Sequence, residues 1–187
     1  MLTLVQKNNI DALRDMQLPS PIEIDLLEFF KTGRFDCLQL GQTKEWIIHN
    51  FPDPDDYDAD FLTEKVNIWT YGGIELHFKN KELYLIFSDH WYEGKLESSH
   101  QIQLNKWVFE DIDKLNLMYM MTELNRHHID FKKKTDELGV LLRLDSGIEL
   151  TFDNVDDLED LDTNDFHLRS FSLVMENPYR WKKQKQR

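Results

Sequence analysis

"GGIELHFKN", Gly72 to Asn80, returns as "SGIELTFDN", Ser146 to Asn154. Gly, Ile, Glu, Leu, Phe and Asn recur in the same order at an offset of 74 residues. Apolar and polar residues alternate in both copies, which is the period of a half-buried strand. Ile74, Leu76 and Phe78 therefore share one side, and Glu75 and His77 the other. Glycine reaches positive φ at no steric cost, so Gly72-Gly73 reads as a tight hairpin turn. "VNIWTY" before it is the partner strand, and "ELYLIFS" (Glu82 to Ser88) follows an Asn80-Lys81 turn as a third. The second copy predicts strand "GVLLRL", turn Asp145-Ser146-Gly147, strand "IELTF" and a last strand near Leu168 to Val174.

The match extends upstream without a gap: Phe35-Asp36 falls on Phe109-Glu110, Leu38 on Ile112, Ile47 on Met121 and Val66 on Val140. Each unit is thus a helix followed by strands. Thr43 is the expected N-cap of "KEWIIHNF", and Pro52 and Pro54 end that helix. Its counterpart spans Lys114 to Asn125. Ahead of both, Ser20 or Pro21 opens a helix with an Ile24, Leu27 and Phe30 stripe, closed by Gly33. The expected fold is α+β: two tandem helix-plus-three-stranded-antiparallel-sheet units sharing one core, after an N-terminal helical segment. The expected divisions are 1–34, 35–92, 93–176 and a basic tail, 177–187.

At 187 residues, 41% hydrophobic and 12% aromatic, the chain has the material for a packed interior. Its net charge is −13, and removing the five positive charges of "PYRWKKQKQR" takes the remainder to −18. So acidic a body repels nucleic-acid phosphates and attracts a basic partner. One cysteine, Cys37, allows no internal disulfide, and no run of about 18 apolar residues could cross a membrane. "MLTLVQKNNI" does not read as a signal peptide, so the expected location is the cytosol.

Most chemical motifs fail on spacing. "DPDDYDAD" gathers Asp53, Asp55, Asp56, Asp58 and Asp60, but lacks the glycine of an EF-hand loop, and a solvated turn-rich loop explains it. His127-His128 are adjacent and make a poor chelating pair. Ser88, Asp89 and His90 stand side by side, whereas a hydrolytic triad meets from separate elements. No metal or cofactor is expected. Glu75 and Glu149 are the acids at equivalent places of the repeat, and paired carboxylates about 5–10 Å apart run glycoside hydrolysis. Two equivalent acids in a repeat are, however, what gene duplication leaves behind.

"LQLGQTKEWIIHNFPDPDDY" followed by "IWTYGGIELHF" resembles the small α/β unit of the SmpA/OmlA outer-membrane assembly lipoproteins. Doubled, it is similar to the β-lactamase inhibitory protein architecture, and cytosolic relatives of the unit include immunity-like bacterial proteins. The likeness covers residues 35–90 well and 109–175 loosely. It implies a scaffold that presents a surface to a protein partner. The expected surface is the sheet face turned from the helices: Trp69, Tyr71, Glu75, His77 and Tyr84, with Arg143 and Glu149 from the second copy and Trp91 at a strand end. Trp, Tyr and Arg are hot-spot residues. The leading expectation is a non-enzymatic module that binds a basic protein, an immunity-type inhibitor of a toxin or nuclease being its sharpest form. A hydrolase using Glu75 and Glu149, or an RNA-associated protein using the basic tail, are the alternatives.

Overall fold

The structure is a computed structural model and describes residues 21–55, 68–89, 91, 94–137, 139–154 and 162–175. Its elements run β1 (Ile22–Asp25), α1 (Leu26–Thr32), α2 (Lys44–Asn50), β2 (Ile68–Tyr71), β3 (Ile74–Lys79), β4 (Glu82–Ser88), β5 (Ile102–Asn105), α3 (Leu117–Arg126), β6 (Phe131–Asp136), β7 (Gly139–Leu144), β8 (Ile148–Asp153) and β9 (His167–Val174). Short 3-10 turns span Trp107–Glu110, Ile112–Lys114 and Thr163–Asp165. The fold is α+β, as the alternation of the repeated stretch predicts. One antiparallel sheet of seven strands has the order β2-β3-β4-β9-β8-β7-β6, and β1 pairs with β5 in a separate parallel pair.

Local chemistry explains where the helices begin. Asp25 caps α1, its carboxylate accepting from the amides of Leu27 and Glu28, and Gly33 closes the helix at φ 71°. Ser20 and Pro21 do not open it: residues 22–25 are extended, paired with β5, and the helix starts where the Asp25 side chain supplies a cap. Thr43 Oγ1 accepts from Trp46 N at 3.2 Å and caps α2 as expected, and Asn116 does the same for α3 through Tyr119 N at 2.8 Å. The chain leaves α2 at Asn50, ahead of Pro52.

The two copies of the repeated stretch turn differently. Tyr71 pairs directly with Ile74, so two glycines make the β2–β3 turn, with Gly72 at φ 58°. In the second copy β7 ends at Leu144 and β8 begins at Ile148, leaving the three-residue loop Asp145-Ser146-Gly147, in which Gly147 takes the positive φ of 92°. Asn80 and Lys81, at φ 53° and 68°, form the β3–β4 turn. The register slips between His77 and Phe78 against β4 and between Thr151 and Phe152 against β9, the same step in both copies. β6 pairs beyond β7, so four strands, β9 to β6, lie on one side of the β4–β9 junction and three, β2 to β4, on the other.

The core lies on one face of the sheet. Phe171 of β9 meets Phe29 and Phe30 of α1, Phe109 and Trp91. Nearer the other edge, Lys44 of α2 is buried with its ammonium 5.1 Å from the Phe78 ring and 5.9 Å from Trp69, which is a cation–π arrangement. Ile74, Leu76, Phe78, Ile148, Leu150 and Phe152 all point into this layer, as their alternation predicts.

Candidate functional site: the open face of the sheet

Register decides what the other face presents. Residues directly opposite across an antiparallel pair share a face. One row across the sheet therefore reads Thr70, Glu75, Phe87, Ser172, Glu149, Arg143, Lys132. A second row reads Ile68, His77, Leu85, Val174. A third is Ser170, Thr151, Leu141, Lys134. The described helices make their ring contacts on the opposite face.

The β3–β4 end of this face holds a compact cluster. His77 Nε2 lies 2.6 Å from Glu75 Oε2, a charge-assisted contact, and both side chains are 16% exposed. The imidazole stands edge-on to Phe87 at 6.0 Å and to Tyr84 at 6.3 Å. Tyr84 reaches it because the slip after His77 leaves that residue unpaired on β4. Ile68, 48% exposed, ends the row in which His77 stands. The β8–β7 end is polar. Arg143 Nη1 lies 3.8 Å from Glu149 Oε1, Thr151 and Ser170 join hydroxyls at 2.6 Å, and Arg169 meets Asp153 at 3.3 Å.

Five of the eight expected surface residues are on this face: Glu75, His77, Tyr84, Arg143 and Glu149. Glu149 is only 2% exposed there, so it braces Arg143 rather than meeting solvent. Trp69, Tyr71 and Trp91 are corrections. A two-residue turn sets Tyr71 opposite Ile74 and Trp69 opposite Leu76, which puts both aromatics on the helix face, each 1% exposed. Tyr71 donates its hydroxyl to Pro52 O at 2.8 Å, and burial raises its pKa. Trp91 stacks on Phe109 at 6.2 Å within the same layer. In exchange the face carries Ile68, Leu85 and Phe87. The signal for Leu85 and Phe87 in the sequence is the alternation of "ELYLIFS", once the slip at Tyr84 is allowed for, and Ile68 follows from its pairing with His77.

Glu75 and Glu149 share a row but stand three strand spacings apart, about 14 Å at roughly 4.8 Å each. That separation exceeds what a two-carboxylate glycosidase uses. Ser88 is buried and donates to Gly73 O at 2.6 Å, a hairpin tie rather than a nucleophile, and His90 lies outside the described residues. Asp55 accepts from Gly72 N at 2.6 Å and His100 N at 3.2 Å, clamping the 97–101 segment to the β2–β3 turn. Asp56, Asp58, Asp60, most of the 155–165 acidic stretch and the basic tail lie outside the described residues. Among the described residues no cluster of three or more His, Cys, Asp or Glu side chains could hold a metal ion. No described helix is long and apolar enough to cross a membrane.

Comparison with models of known protein families, with curated proteins and with solved structures finds no match to the chain.

Proposed function

We propose that the chain is a non-enzymatic binding protein that presents the open sheet face to a protein partner. One observation carries this reading: the Glu75–His77 pair is framed by Tyr84, Phe87 and Leu85 on the sheet face opposite the ring contacts of the α1 phenylalanines. A rigid aromatic patch around a fixed polar pair has the composition of an interface hot spot. Rows on a sheet hold their side chains in place before the partner arrives, so little ordering cost attends binding. The net charge of −13 favours a basic partner and fast, salt-sensitive association. An immunity-type inhibitor held in the cytosol is the most specific form of this proposal.

The scaffold itself belongs to the proposal. β2-β3-β4 and β7-β8-β9 are two three-stranded meanders joined edge to edge through β4 and β9. Both slip register at the same step of the repeated stretch. We read them as tandem copies of one unit, the arrangement that the likeness to doubled α/β units implies. Divergence has then left an imidazole beside one glutamate and an arginine beside the other.

The test is affinity capture with the full chain at low and high salt, alongside Phe87→Ser and Glu75→Lys variants. A protein retained at low salt and lost with either variant is the expected result. Retention by both variants, or no protein captured at either salt, would overturn the assignment.

A further inference from the structure

The far edge of the sheet has a different character. β6 is its last strand, pairing only with β7, and its residues from Lys132 to Asp136 are all exposed. Asp145 N donates to Asp130 O at 3.0 Å. In an antiparallel ladder, hydrogen-bonded pairs alternate with non-bonded ones. Lys132 opposite Arg143 and Lys134 opposite Leu141 are therefore bonded pairs, and Phe131, Lys133 and Thr135 turn their amide and carbonyl groups outward. Among the described residues no strand takes up that edge.

The side chains on this edge are cationic on both faces. Lys132 and Lys134 rise on the open face, and Lys133 on the helix face beside Leu142. Lys134 meets Asp136 at 3.1 Å. Asp130 and Asp136 bound the three lysines, so positive charge occupies only the middle of the strand. Lysines on an edge repel an identical edge: a second copy docking β6 to β6 sets ammonium against ammonium. An extended segment with acids opposite the three lysines would instead gain a main-chain ladder and three ion pairs. Further acids would meet Asp130 and Asp136.

We propose that β6 takes up a short acidic segment of a partner protein as an added strand, its preferred sequence being three consecutive acids flanked by uncharged residues. This site is at the opposite edge of the sheet from the Glu75–His77 cluster and takes the opposite charge. Strand addition draws affinity from the main chain and specificity from alternate side chains.

The experiment uses the full chain and a fluorescein-labelled peptide with three glutamates between valines and threonines. Fluorescence polarisation should show saturable binding at low salt, weakened about tenfold or more by Lys132→Glu with Lys134→Glu. A matching peptide with lysines in place of the first and third glutamates, and the middle one kept, should bind the charge-reversed chain instead. Amide exchange on the unmodified chain, which needs no variant, should slow at Phe131, Lys133 and Thr135 when peptide is added. No binding at low salt, binding indifferent to the charge reversal, or binding that leaves those three amides exchanging as before would overturn the proposal.

Discussion

Replacing Phe171 with alanine removes the ring around which the interior is arranged. It is fully buried at the middle of β9, with Phe109 at 5.2 Å, Phe30 at 5.3 Å, Trp91 at 6.1 Å and Phe29 at 6.3 Å. Loss of burial alone costs about 2–3 kcal/mol for a phenylalanine. The surrounding rings sit on a helix, a 3-10 turn and a loop that cannot all move inward together, so a cavity term adds to this. The expected total is near the top of the usual Phe→Ala range, about 4–5 kcal/mol. For a domain of this size that corresponds to a fall of roughly 8–20 °C in melting temperature. Urea denaturation followed by tryptophan fluorescence is the assay, since Trp91 reports directly on the site. Phe171→Leu should recover about half of the loss, because it refills most of the space. A loss under about 1.5 kcal/mol for Phe171→Ala would mean the ring is not enclosed, and the β9 register would be wrong.

Phe78→Ala should cost about 3–5 kcal/mol, because it uncovers Trp69 at 4.4 Å and the Lys44 ammonium; a loss under about 1 kcal/mol would mean the sheet is inside out. Gly72→Ala should cost about 2–4 kcal/mol in the same denaturation assay, since its φ of 58° strains an L-residue and the added carbon would stand 2.5 Å from Glu97 O. Burial, and then the neighbouring Asp36 carboxylate, push the Cys37 thiol up to about 11. Its thiolate fraction at pH 8 is then about a hundredfold below that of an ordinary thiol, and iodoacetamide labelling should be slower in proportion. Because this folded-state pKa is raised, the linked stability is present below the ordinary thiol range and is lost as pH climbs toward 11, so urea midpoints should decline there, and less steeply once Cys37 is replaced by serine, the buried Tyr71 phenol contributing the remainder.

The alternation of the repeated stretch made its two strands readable, since a period of two fixes which residues point inward. The turns are legible as well: Gly72-Gly73 holds two residues and Asp145-Ser146-Gly147 three. A two-residue turn sets Tyr71 opposite Ile74, so the helix-side faces of Trp69 and Tyr71 follow from that count, and alternation along one strand alone does not give them. β6 leaves no such signal: "KKK" carries no apolar alternation, because an edge strand exposed on both faces has little to bury. β1 and β5 are four residues each and stable only as a pair, so neither signals alone. Asp25 was legible as a cap only once residues 22–25 were known to be extended. The Glu75–His77 contact was the part of the site most open to reading, because i and i+2 on a strand share a face whatever the register.

The seam between β4 and β9 sets a schedule for the newborn protein. Ser88 completes β4, but its neighbour in the sheet is not finished until Val174, 86 residues later. At ribosomal rates of roughly 5–20 residues per second, that is a wait of about 4–17 s. Throughout it, "LYLIF" offers an unpaired apolar edge to any passing strand. The incomplete chain is therefore open to mispairing at β4 during that interval, whatever the stability of the finished fold.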